Sequence, residues 1–260
     1  MTLASLDGVI GPAGQTVIPA SDEGLLRGDG VFEVLRLYAG RPFALDEHLR
    51  RMETSAANLR LPFDVGATRT ELLALLAASD PADGVLRLVQ TRGGRRLAVV
   101  EPAPVMPDQV RLGYVTYGPT HVLDGIKSLS YAANMLTTRL AKERGFDEAL
   151  LRTPHGRVLE APTSSFFWVS DGKVRTPPLE DHLLASITRA IVIELTGALE
   201  APCTHADVAA ADEAFLASTL REAQPVVAVE DVALPAGEVT AATAAKLRAH
   251  IDAELASAGA

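Results

Sequence analysis

The chain has 260 residues, 48% of them hydrophobic, enough to bury one large core or two modest ones without cross-links. Its 24 Lys and Arg against 33 Asp and Glu give a net charge of −9, which argues against an electrostatic nucleic-acid binder and against affinity for anionic membranes. A single cysteine, Cys203, excludes an internal disulfide. With no run long enough to span a bilayer and no signal-peptide pattern at the start, a soluble cytoplasmic protein is expected.

The chain opens with short strand-like pieces, Val9-Ile10 and Thr16-Val17-Ile18, broken by Gly11-Pro12-Ala13-Gly14. Val31 to Tyr38 reads as a strand, Ala39-Gly40-Arg41-Pro42 as a turn and Phe43-Ala44-Leu45 as a returning strand. Asp46 is the expected N-cap of a helix in which Leu49, Met52, Ala56 and Leu59 recur at helical spacing up to Pro62. Thr68 is expected to open the next helix, with Leu72, Leu73, Leu75 and Leu76 inward; strands follow at Val85–Thr91 and Val110–Thr116. The loop Gly118 to Gly125 is placed as a domain boundary, giving an N-terminal subdomain 1–117, a linker 118–125 and a C-terminal subdomain 126–260. In the second half a helix spans about Tyr131 to Arg144, followed by strands at Glu148–Arg152, Val158–Leu159 and Phe166–Ser170. A hairpin turn at Ser170-Asp171-Gly172-Lys173, helices at Thr188–Thr196 and Ala206–Ala211, a strand at Glu213–Ala217 and a final helix around Thr243–Leu255 complete the chain. Strands mostly neighbour strands, so the class is α+β.

No metal site is expected, because the six histidines show no metal-ligand spacing and one cysteine builds no thiolate site. The nucleophile-elbow, phosphate-loop and dinucleotide motifs are missing, and Gly28-Asp29-Gly30 precedes a strand rather than opening a helix. Lysine usage says more. Of the only four lysines, Lys142 ends a helix, Lys173 sits in a turn and Lys246 lies on a polar helix face. Lys127, between Gly125-Ile126 and Ser128-Leu129, has no acidic neighbour closer than Asp124. A lysine in partly apolar surroundings loses its charge more readily, as an amine nucleophile must; an ordinary loop lysine fits the same spacing.

The text around it decides between the two. Gly125-Ile126-Lys127-Ser128-Leu129-Ser130-Tyr131 is followed by Gly145-Phe146-Asp147-Glu148-Ala149, Gly156-Arg157-Val158-Leu159-Glu160, Ser164-Ser165-Phe166-Phe167-Trp168 and Ile187-Thr188-Arg189. With Gly28-Asp29-Gly30-Val31-Phe32-Glu33 and His48-Leu49-Arg50-Arg51-Met52, this ordered series resembles the fold-type IV pyridoxal-phosphate enzymes from about Asp7 to Val229. That family includes D-amino-acid aminotransferases, branched-chain aminotransferases and aminodeoxychorismate lyases. The resemblance implies a two-subdomain α+β fold, a pyridoxal 5′-phosphate cofactor and a homodimer with its active site near the subunit interface. By the same resemblance Lys127 forms the Schiff base with the cofactor and moves the substrate proton, and Glu160 faces the pyridine nitrogen. Arg51, with Arg50 as the alternative, binds the phosphate, together with the backbone of Ile187 and Thr188 and the turn Ser218-Thr219. Ser164 joins the polar surroundings of the cofactor, although Ser165 stands where asparagine is usual and Pro162 interrupts the stretch.

The substrate side departs from the D-amino-acid pattern. Thr91-Arg92-Gly93 continues as Gly94-Arg95-Arg96 without the usual Arg-x-His carboxylate trap. Arg27, alone or with Arg92, Arg95 or Arg96, is the expected substitute, Val31 is placed beside the substrate, and Arg221 either contacts substrate or faces solvent. The resulting expectation is a transaminase moving an amino group from a D-amino acid, or an (R)-amine, to a 2-oxo acid. The alternatives are aminodeoxychorismate lyase, forming 4-aminobenzoate, and then branched-chain aminotransferase.

Overall fold

The computed structural model describes residues 2–79 and 83–257. The chain divides into two compact units, one formed by Met1–Pro104 with Gly125–Tyr131, the other by Val105–Asp124 with Ala132–Ala260. The fold is mixed, with helices beside largely antiparallel sheets, as the α+β reading expects.

The first unit is built on a six-stranded antiparallel sheet in the order Val9–Pro12, Leu3–Leu6, Arg96–Pro102, Gly84–Thr91, Gly30–Tyr38, Arg41–Pro42. Two helices, Leu45–Asn58 and Val65–Ser79, bury Leu49, Met52, Ala56, Leu72, Leu75 and Leu76 against Leu35, Leu37, Leu86 and Leu88. Leu73, expected inward, is 49% exposed, since it lies off the stripe that Leu72, Leu75 and Leu76 share. Asp46 is not the cap of its helix. Ala44, in a left-handed conformation, precedes Leu45, and Asp46 sits in the first turn, where its charge suits the dipole. The next helix begins at Val65, three residues before the expected Thr68, because Asp64 Oδ1 accepts the Ala67 N–H at 2.9 Å as an N-cap does.

The second unit holds a mixed ten-stranded sheet whose centre runs Ser165–Ser170, Glu213–Ser218, Glu222–Val229, Val110–Thr116, Glu148–Arg152. Phe166, Trp168, Phe215 and Leu216 are buried in it. Around the sheet lie the helices Ala132–Glu143, Ile187–Thr196 and Glu238–Ser257.

The units differ from the expected split at residues 118–125. Val110–Thr116 pairs in parallel with Glu148–Arg152 and with Glu222–Val229, which ties it to the second unit. Gly125–Tyr131 belongs to the first, through backbone bonds from Phe32 N to the Lys127 carbonyl (3.0 Å) and from Leu129 N to the Gly30 carbonyl (2.8 Å). Gly30 permits that approach. A Cβ there would sit 2.5 Å from the Gln90 carbonyl oxygen and 2.6 Å from Leu129 Cδ1. Ladder hydrogen bonds between residues far apart in sequence, invisible to a loop-and-composition argument, decide both assignments.

Candidate active site

In the first unit, Lys127 is fixed through its backbone. Its N–H donates to Ser55 Oγ (3.1 Å), and its side chain lies with Nζ 4.4 Å from the Phe32 ring centroid and 5.7 Å from that of Tyr131. Phe32 and Tyr131 meet edge to face at 5.2 Å, so the amine rests against an aromatic wall.

Arg51 comes from the helix Leu45–Asn58. Its Nε and one terminal nitrogen donate to the two oxygens of Glu33, each at 2.7 Å, a bidentate pair that fixes the guanidinium plane. Arg50, one position away and about 100° around the helix, is exposed and pairs with Glu47. Helix geometry therefore turns Arg51 toward the buried strand and Arg50 toward solvent. Glu33 is fully buried and also receives His48 Nδ1 at 2.8 Å. Burial alone would push its carboxyl up, but the bonds and charges of Arg51 and His48 outweigh that and hold it down at about 2. Burial lowers His48, so its neutral ring donates from Nδ1 to Glu33, and Nε2 is left buried with no partner among the described residues.

Glu33 and His48 are thus site residues that the sequence reading passed over except as parts of a motif. A signal for Glu33 was there. It alternates with Val31, Leu35 and Leu37 on the buried face of the strand Gly30–Tyr38, where a carboxylate must be paired.

In the second unit, Glu160 follows the strand Arg157–Val158. Its Oε1 accepts the Leu184 N–H at 3.2 Å and its Oε2 accepts Ser165 Oγ at 3.4 Å. Ser165 therefore supplies a donor to Glu160 despite standing where asparagine is usual. The nearby Tyr117 phenol is raised by burial and then by the charge of Glu160. Ser164 is buried in the tight turn that begins at Ala161, and its Oγ has no partner among the described residues. Pro162 does not break the turn; its carbonyl accepts Asn134 Nδ2 at 3.1 Å.

Ile187 and Thr188 are the first residues of the helix Ile187–Thr196. The Ser186 cap takes the Arg189 N–H, and the helix takes that of Ala190. The N–H groups of Ile187 and Thr188 are the ones no helical carbonyl can reach, as an anion site requires. Ser218 ends the strand Glu213–Ser218 and Thr219 lies in the turn after it; Ser218 Oγ accepts the Arg221 N–H at 3.3 Å.

The expected substrate residues fare differently. Val31 is fully buried in the hydrophobic core of its unit and bridges to Ser128, next to Lys127. Arg92 donates to both oxygens of Asp29 (3.0 and 3.2 Å) and to the carbonyls of Leu59 and Arg60 at the end of a helix. Arg95 pairs with Asp7 (2.8 Å) and Arg96 with Glu71. All three arginines are engaged by carboxylates of the first unit. Arg221 is 10% exposed, donates to Glu148 at 3.0 Å and bonds Gln224, so it sits in an internal ion pair and does not face solvent. Arg27 differs: 74% exposed, it has a single-turn ion pair with Glu23, the kind worth little.

Each unit taken by itself offers donors of the kind a phosphorylated aldehyde cofactor needs. The first holds the Arg51 guanidinium and the buried His48 Nε2, and the second holds the helix-start N–H groups of Ile187 and Thr188 and the buried Ser164 Oγ.

The family model of class IV amino-transferases matches residues 30–229. A putative branched-chain-amino-acid aminotransferase of Methanocaldococcus jannaschii is 34% identical over 236 residues, covering 80% of this chain and 81% of that protein. A D-alanine aminotransferase of Listeria innocua is 30% identical over 252 residues, covering 85% of each. The solved fold IV-transaminase of Curtobacterium pusillum superposes with a TM-score of 0.88 at 29% identity, over 97% of this chain and 99% of that one.

Proposed function

The chain belongs to the class IV aminotransferases, pyridoxal-phosphate enzymes, and on that premise we propose that it carries an amino group from a D-amino acid to a 2-oxo acid such as pyruvate or 2-oxoglutarate. The observation that carries the reading is the Lys127 amine laid over Phe32 and Tyr131 in the same unit as an arginine locked by Glu33. When bound, the cofactor supplies an electron sink for the pair released as a proton leaves the amine-bearing carbon. Lys127 makes the covalent attachment, and its Nζ then takes that proton and returns it. Arg51, the N–H groups of Ile187 and Thr188, and the Ser218-Thr219 turn hold the phosphate. Glu160, kept in place by Ser165 and the Leu184 N–H, holds a proton on the ring nitrogen, and Ser164 adds a hydroxyl. The active form is a homodimer.

The D-selective reading rests on Gly28-Asp29-Gly30-Val31-Phe32-Glu33 and on the similarity to the Listeria enzyme. The branched-chain reading has the Methanocaldococcus relative in its favour. The absorption spectrum of the cofactor-loaded protein separates them. D-alanine or D-glutamate should convert the visible band to the shorter-wavelength band of the amine form, with L-valine and L-leucine inert. Conversion by the L-amino acids alone would replace this proposal with the branched-chain one. No conversion by any of them would favour the lyase, to be tried next with 4-amino-4-deoxychorismate.

Arg27 is the remaining candidate for the substrate carboxylate. Arg27→Ala is expected to raise KM for 2-oxoglutarate roughly tenfold, the worth of one charged hydrogen bond, and to leave the cofactor absorbance unchanged. Equal kinetics for pyruvate and 2-oxoglutarate before and after the change would remove Arg27 from the site.

A further inference from the structure

We infer that His121, Asp124 and His182 form a binding site for a divalent transition metal of the zinc, nickel or copper class. All three lie in the second unit, and their ligand atoms are within 4.8 Å of one another. His182 Nδ1 is 2.8 Å from Asp124 Oδ2, and His121 Nδ1 is 3.8 Å from the same oxygen. Zinc bonds nitrogen and oxygen ligands at about 2.0–2.2 Å in tetrahedral geometry, so its ligand atoms stand about 3.4 Å apart, between the 2.8 Å His182–Asp124 hydrogen bond and the 3.8 Å His121–Asp124 separation. His121 completes the set by turning a side chain that is 77% exposed.

The two imidazole rings have centroids 3.6 Å apart, and the Nδ1 atoms of both face the same Asp124 oxygen. One metal ion would satisfy both imidazole nitrogens and the carboxylate together. Two imidazoles and one carboxylate favour zinc, nickel or copper over magnesium or calcium.

Each ligand is delivered by a short turn. His121 opens the 3-10 turn His121–Leu123, which Asp124 caps, and His182 ends the turn Leu179–Asp181 in a left-handed conformation (φ 66°). The transaminase reading uses none of the three. A bound ion would staple the stretch that leads into the Lys127 segment to the turn 179–182. Sequence spacing conceals the site, because His182 is 58 residues from Asp124.

The test is equilibrium dialysis of the cofactor-loaded protein against zinc, with metal analysis, beside His121→Ala and His182→Asn; asparagine tolerates the left-handed backbone. One zinc per chain is expected in the wild type, and each variant should weaken binding by more than about tenfold, the least that even an outer-sphere partner contributes. Zinc should also raise the unfolding temperature of the wild type and not that of His121→Ala. The copper-loaded protein should show two nitrogen ligands by electron paramagnetic resonance, and His121→Ala only one. No saturable zinc binding, or equal binding by wild type and both variants, would overturn the site.

Discussion

Lys127→Ala is expected to lower turnover by about a thousandfold or more, because one side chain supplies both the covalent attachment and the proton transfer. The protein should still fold. The contacts that seat this segment, from Lys127 N–H to Ser55 Oγ and from Phe32 N–H to the Lys127 carbonyl, belong to the backbone and survive truncation. Lys127→Arg sharpens the test. It keeps a cation against Phe32 and Tyr131 but cannot give up its proton at working pH, so it should be as inactive as alanine. Added methylamine should restore part of the activity of the alanine variant, which a merely structural lysine would not allow. A variant that retains more than about a tenth of wild-type turnover would end the assignment of Lys127.

Elimination leaves Lys127 as the one lysine without an obvious surface role, yet a plain loop lysine fits as well, and it is the resemblance carried by the ordered motifs around it that implies its chemistry. Type and order are properties a linear text preserves. Occupancy is not. Arg92 looks available in Thr-Arg-Gly, yet it is consumed by Asp29, 63 residues away, and by two carbonyls at a helix end. Arg221 in its turn reads equally well as a substrate contact or a solvated charge, yet it meets Glu148 from a strand 73 residues earlier. Arg51 and Arg50 are indistinguishable as letters and separate only once the helix rotates one inward. The lysine segment was assigned to the wrong half for a related reason. Its loop composition resembles a linker, but its backbone is pinned to the strand Gly30–Tyr38 by hydrogen bonds that composition does not encode. Val31 is the opposite case. The strand alternation that buries Leu35 and Leu37 buries Val31 too, and that burial was legible from period alone.

Glu33→Gln should destabilise the protein by about 3–5 kcal/mol, the cost of removing one partner from a buried ion pair. The change strips the carboxylate from a site where Arg51 and His48 converge and leaves a guanidinium that is only 14% exposed without its counter-charge. The pH dependence identifies the cause. Glu33 titrates at about 2 in the folded chain against 4.5 when unfolded, so its contribution is fully present above pH 4.5 and is lost as pH falls toward 2. His48 is also lowered from 6.5, so the unfolded chain gains a proton first and the folded state begins to lose stability just below that pH. In urea unfolding of the cofactor-free chain, followed by circular dichroism, the gap between wild type and Glu33→Gln should be widest near neutrality and should close between about pH 4.5 and pH 2. Because the same carboxylate sets the plane of Arg51, the variant should also bind pyridoxal phosphate more weakly while Lys127 stays unaltered. A stability gap that stays constant from about pH 6 to pH 3 would mean that packing, not charge, is what Glu33 contributes to this cluster.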